Sequence, residues 1–303
     1  KVQRMRKLGG MISDELLISK EKVELSASIC KADLVSELVG EFPELQGIMG
    51  GYFAEEQGFE KDVCKAISEQ YQPAGFNSKV PKKPYSVALS LADKIDTLVG
   101  FFGINQKPTS SKDPFALRRL ALGIIKTIVE NKKDFKIRDL INYSSSLYMD
   151  QGFEFENKSL QKELNDFLMD RLRFYMKGEK IRYDIIHAST TSLNLDQSVI
   201  IFSKAKSLNK IIDKQVGIDL ILSYKRASNI LENELKNKNF DLSNTTDPGI
   251  FKTELEKNLF KKINELRKYF QNINKDENFE QSLENLAKSK NIIFEFFDNV
   301  IVN

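Results

Sequence analysis

Apolar residues recur at three- and four-residue spacings along most of the chain. No stretch shows sustained strand alternation bounded by hairpin turns, so the pattern predicts an all-α protein. The clearest stretch is 85–129. It reads as one helix, a stiff loop carrying Pro108, Lys112 and Asp113, and a second helix that starts at Pro114 and carries Arg118 and Arg119. Proline suits a first helical turn because its missing N–H would be unpaired there, and Asp113 just before it can cap free amides. Leu117, Leu120, Ala121, Ile124 and Ile128 then share one helix face.

Before this hairpin the pattern predicts two helices within 1–39. The second, over 23–39, has Leu25, Ile29, Leu34 and Leu38 as its apolar positions. Glycines 40, 47, 50 and 51 interrupt it with a turn, a short helix and another turn, followed by a helix over 63–71 and a surface loop over 73–84. After the hairpin come helices at 137–148 and 160–176. The polar segment STTSLNLD at 189–196 then marks a domain boundary, which divides the chain into 1–193 and 194–303. Helices at 197–210, 218–235, 248–271 and 280–297 follow, separated by loops rich in Asn, Lys and Asp.

Composition narrows the function classes. The 303 residues hold 46 basic and 43 acidic side chains, a formal net charge of +3, so any nucleic-acid contact must come from local placement. One histidine, His187, argues against triad and most zinc chemistry, and its apolar neighbours suggest an ordinary structural residue. The two cysteines, Cys30 and Cys64, have no metal-ligand spacing and read as buried thiols of a reducing, cytoplasmic compartment. No apolar run is long enough for a transmembrane helix, so no membrane partner is expected. The first residue is Lys1 rather than Met, which suggests a piece of a longer protein.

Three groups of residues carry candidate chemistry. Arg118 and Arg119, beside Lys112, suit an anionic partner or a structural role paired with carboxylates. Tyr224, Lys225, Arg226 and Asn229 combine a stacking ring, cations and an amide, the mixture that single-stranded RNA recognition uses, and Lys257, Lys261 and Lys262 lie on a later basic helix. Such a charge run is more often a solvated helix face. The carboxylates Asp33, Glu41, Glu44, Asp93 and Asp96 make a hard-cation site conceivable, against the plainer reading of capping and salt-bridging acids. Phosphate-loop and nucleophile-elbow patterns are absent from the sequence.

Several long motifs resemble one family: KADLVSELVGEFPELQGIMGGYFA (31–54), ISEQYQPAG (67–75), ALSLADKIDTLVGFFGI (88–104), KDPFALRRLALGI (112–124), YKRASNIL (224–231) and FFDNVIVN (296–303). Lys1 and Arg4 fit its DKxxR start. The chain resembles the β subunit of the bacterial two-subunit glycyl-tRNA synthetase. The resemblance implies an HD-like helical domain followed by a DALR-type anticodon-binding helical bundle, in a C-terminal fragment. It implies tRNA(Gly) and the α subunit as partners. ATP and Mg would be used by α, and this fragment would carry no cofactor and no catalysis. In HD phosphohydrolases a His-Asp pair holds a cation; here Ala32-Asp33 and the ADK at 92–94 stand in those places, so Asp33 and Asp93 read as vestiges without metal. The implied tRNA contacts are Lys112, Arg118, Arg119, Tyr224, Lys225, Arg226, Asn229, Lys257, Lys261 and Lys262. The alternatives are an HD-type phosphohydrolase and a structural segment that docks α.

Overall fold

The computed structural model describes residues 1–191, 194–237, 246–271 and 279–300. Parts of the expected boundary segment (192–193), the polar loops at 238–245 and 272–278, and the end of the closing motif (301–303) lie outside the described residues. Among the described residues every regular element is helical. No helix among them is long and apolar enough to cross a membrane. The chain forms two compact units, Lys1–Phe202 and Ser203–Asn303.

The first unit is built around α6 (Pro84–Gly103). Nearly every side chain from Ser86 to Phe102 is buried, which requires neighbours on all sides. They are α1 (Val2–Leu16), α2 (Lys20–Ile29), α5 (Lys61–Glu69), α7 (Leu117–Asn131), α8 (Ile137–Met149) and α9 (Asn157–Gly178). Two glycines permit close approaches. A Cβ on Gly100 would lie 2.1 Å from the Tyr148 hydroxyl oxygen, and one on Gly123 would lie 2.9 Å from Cε of Lys94.

Several expected helices differ from the structure; the one expected over 248–271 opens as a 3₁₀ turn at Pro248–Ile250 and becomes α-helical only from Glu254. The helix expected over 23–39 stops at Ile29, followed by a 3₁₀ turn at Ala32–Val35 and the short α3 (Glu37–Glu41), where the Ser36 hydroxyl accepts the Val39 amide. The break places the Asp33 carboxylate inward and leaves Leu25, Leu34 and Leu38 exposed. The helix expected from Pro114 starts at Leu117 instead, because Ala116 adopts a left-handed φ of 53°. Phe115 stacks on Phe101 with centroids 4.2 Å apart, a tertiary contact that holds the turn. Asp113 caps as expected, one turn later: its carboxylate accepts the Leu117 and Arg118 amides at 2.8 and 2.9 Å.

Between these elements lies α4 (Ile48–Glu56), and α10 (Tyr183–Thr191) packs on α9, a helix that the periodicity did not indicate. The second unit contains α12 (Gln215–Asn237), α13 (Glu254–Gln271), α14 (Phe279–Ala287) and α15 (Lys290–Asn299), after α11 (Ser198–Ile211). The single helix expected over 280–297 is two, parted at Lys288 and Ser289, where the Ser289 hydroxyl donates to the Leu286 carbonyl. Here α12 packs on α14 and α15, and α13 packs mainly on α15. The apolar stripe expected on α13 is incompletely covered, with Ile263 and Phe270 exposed.

Candidate functional site

The acidic residues of α6 form a closed electrostatic site. Asp93 is buried, and its two oxygens lie 2.9 Å from the Lys1 ammonium and 3.2 Å from the Lys31 ammonium. Lys31 in turn donates to the Tyr71 hydroxyl at 2.9 Å and sits 4.2 Å from that ring's centroid. Burial alone would raise the Asp93 carboxyl; the charges of Lys1 and Lys31 more than offset this and hold it below the ordinary range. Asp33 is buried too, and its Oδ2 accepts the Gly47 and Gly50 amides at 2.6 and 3.2 Å, capping the start of α4.

This arrangement opposes a metal ion. Asp93 already faces two ammonium groups, which repel a divalent cation, and Asp33 has one oxygen committed to backbone amides. No cluster of three or more His, Cys, Asp or Glu able to hold a metal is found among the described residues. Asp96 is separate from both: Arg4 grips it with Nε at 2.7 Å and Nη2 at 3.2 Å, while lying 3.6 Å over the Tyr148 ring. Tyr148 donates to the Asp96 carbonyl at 3.0 Å, and Arg4 also donates to Gln151.

The hairpin loop divides its cations. Arg118 is half-buried and donates to the Thr109 carbonyl, with Asp113 at 4.0 Å, so it ties the loop to the helix. Arg119 and Lys112 point to solvent. The Arg171 guanidinium lies within 5.7 Å of the Phe167 ring centroid and 5.4 Å of that of Phe174. Burial and the nearby positive charge of Arg118 lower its affinity for a proton.

On α12 the helical turn separates the residues expected to act together. Tyr224, Lys225 and Asn229 are exposed. Arg226 turns inward instead, pairing with Asp298 at 2.5 Å and lying 4.7 Å over Phe294, which fastens α12 to α15. The three lysines of α13 also differ. Lys257 pairs with Glu254 at 2.7 Å and Lys262 with Glu265 at 3.6 Å, while Lys261 is exposed beside a 240 Å³ groove that Glu265 and Glu295 also line.

Sequence reasoning missed two buried lysines. Lys94 is 2% exposed, and its Nζ donates to the carbonyls of Gln70 (3.2 Å) and Gln72 (2.7 Å) and to the Ser90 hydroxyl (2.7 Å). Burial lowers its pKa to about 7. Lys126 donates to the Phe76 carbonyl at 2.5 Å and to that of Ser78. Lys126 fixes the 73–84 loop and Lys94 the residues just before it, and their only sequence signal was a lysine among the apolar positions of a helix. His187, expected to be structural, is exposed and lines a 660 Å³ groove with Phe174, Tyr183 and Lys177.

Fold and site together define an all-α protein of two helical units, whose buried ionic groups brace the fold and whose second unit shows a mixed aromatic and cationic face. Comparison with known proteins adds the family. The sequence model described as "Glycyl-tRNA synthetase beta subunit" matches residues 1–191. The chain is 39% identical over 280 residues to the glycine–tRNA ligase beta subunit of Rickettsia canadensis, covering 92% of this chain and 40% of that protein. It is 37% identical over 289 residues to that of Rickettsia prowazekii (94% and 41%), and 34% over 303 residues to that of Cereibacter sphaeroides (100% and 44%). The chain belongs to the glycyl-tRNA synthetase beta subunit family. It spans less than half the length of these curated relatives.

Proposed function

We propose that the chain is the tRNA-binding part of a cytoplasmic glycyl-tRNA synthetase β subunit. It positions tRNA(Gly) and its anticodon for ATP-dependent glycylation on the α subunit, where ATP and Mg²⁺ act. On this reading residues 1–193 are the HD-like domain with its connecting helices, 194–303 the DALR-type anticodon-binding domain, and the fragment catalyses nothing by itself. One observation carries the reading: α12 presents Tyr224, Lys225 and Asn229 to solvent while Arg226 locks the helix to α15. A ring for stacking, an ammonium for phosphate and an amide for a base edge therefore stand on a braced helix. Lys112, Arg119 and Lys261 are further exposed cations for the phosphate backbone. Arg118, Arg226, Lys257 and Lys262 already have partners within the chain and serve the site by holding it.

Fluorescence anisotropy with labelled tRNA(Gly) tests this. Replacing Tyr224 and Lys225 with Ala should weaken binding about tenfold and flatten its salt dependence. Unchanged affinity at low salt overturns the assignment. The phosphohydrolase alternative needs a cation at Asp33 and Asp93, and the ammonium groups of Lys1 and Lys31 weigh against it. Stoichiometric metal in the purified chain would revive it.

A further inference from the structure

On α9 stands a half-buried guanidinium with which, among the described residues, no carboxylate pairs. Arg171 lies 5.7 and 5.4 Å from the ring centroids of Phe167 and Phe174, and its Nε is buried with no hydrogen-bond partner. The two carboxylates near enough to attract it are engaged elsewhere, Asp170 with Arg173 at 2.8 Å and Asp113 with the Leu117 and Arg118 amides. The other charge that it feels is the positive one of Arg118, across the packing of α7 on α9. Arg4 shows the contrast, since its guanidinium grips Asp96 through two nitrogens. A partly desolvated cation that faces a second cation costs stability unless an anion offsets it.

The surroundings suit an anion of high charge. Arg118 donates to the Thr109 carbonyl, and the 109–112 turn closes on itself: the Thr109 amide donates to the Lys112 carbonyl at 2.9 Å, and the Lys112 amide to the Thr109 hydroxyl at 3.1 Å. The exposed Lys112 therefore stands on the turn that Arg118 holds. Arg118 already serves the loop and contributes its field, while Arg171 and Lys112 offer N–H donors. Next to Arg171, Phe174 is 49% exposed and lines the 660 Å³ groove together with Tyr183, Lys177 and His187. A ring beside the cation gives a stacking face to whatever carries the anion.

We propose that Arg171, with Lys112 and in the field of Arg118, binds a phosphate group of an RNA backbone whose neighbouring base lies against Phe174. A guanidinium presents parallel N–H donors that match two phosphate oxygens. A carboxylate would fit the same fork, but three positive charges and an exposed ring together favour a phosphate joined to a base. The choice of RNA as its source rests on the tRNA-binding reading above, whereas the phosphate site rests on the unpaired guanidinium. The contact belongs to the first unit, and α12 to the second.

Two measurements on Arg171→Gln test this. At matched ionic strength, inorganic phosphate in place of chloride should raise the thermal midpoint of the wild-type chain more than that of the variant. Acetate should show no such difference; an acetate effect equal to that of phosphate assigns the guanidinium to protein carboxylates and overturns the proposal. A variant that is less stable yet gains as much from phosphate as the wild type has lost a structural residue, which overturns it as well. With labelled tRNA(Gly), Arg171→Gln should weaken binding about tenfold and lower the salt slope by about one unit, and Arg171→Lys should recover part of the loss. Unchanged tRNA affinity with a lost phosphate effect overturns RNA as the source and leaves the site to free phosphate. The Tyr224/Lys225 variant, measured alongside, separates this site from the one on α12. Loss of tRNA binding there with none at Arg171 overturns the RNA contact proposed here alone, and the reverse overturns the α12 assignment alone.

Discussion

The two units differ in how deeply they bury cations: among the described residues every buried lysine or arginine, Arg4, Lys94 and Lys126, lies in the first. In the first, Arg4, Lys31, Lys94 and Lys126 turn inward: Arg4 and Lys31 to the buried acids of α6, Lys94 and Lys126 to carbonyls of the 70–78 stretch. In the second, Lys225 and Lys261 stay outside, and the fully buried described side chains are small apart from Ile211. A basic residue is therefore a poor indicator of RNA contact until its burial is known. Burying a charge is costly unless it is paired, so the first unit can hold its cations only where acceptors converge on them.

Substitutions can break or sharpen this contrast. The largest effect is expected where a buried pair loses one member. Asp96→Ala strands the Arg4 guanidinium and should cost about 3–5 kcal/mol in urea denaturation, whereas Lys225→Ala should stay within about 0.5 kcal/mol. Similar costs at both positions would erase the distinction. Lys94 comes next, through pH. Its folded pKa of about 7 lies below the ordinary lysine value, so between the two the unfolded chain binds more protons. Its contribution is complete above the ordinary value and lost as pH falls to about 7. Lys94→Met should remove up to about 1.4 kcal/mol per pH unit of slope in that window, read as the difference between wild-type and variant denaturation curves. An unchanged slope would mean that Lys94 stays charged in the fold. Smallest is the cap of α7: Asp113→Ala leaves two amides without their acceptor and should lower stability by about 1 kcal/mol, measured by thermal denaturation.

The helical hairpin of α6 and α7 was legible because its signals are local: apolar spacing and a capping acid. The break after Ile29 was not, because the Asp33 carboxylate accepts amides fourteen and seventeen residues away. The start of α7 at Leu117 was hidden for a similar reason, since the Phe101–Phe115 stack joins two elements. Nor does the stretch 280–297 contain a glycine or proline to announce the division between α14 and α15. Among candidate site residues, the YKRASN segment was visible as chemistry. Which of its members face outward depended on packing against α15.

By itself, then, the sequence determined the helical class, the central hairpin and, through its motifs, the family. These rest on spacing and residue order, which survive without knowledge of what packs where. Only the tertiary structure decided the destination of each charge. Asp33 became a cap, Asp93 a partner for ammonium groups, Arg226 a clamp, and Lys225 remained on the surface. The physical reason is that the energy of a charge depends on its solvation and on groups distant in sequence, neither of which helical periodicity encodes.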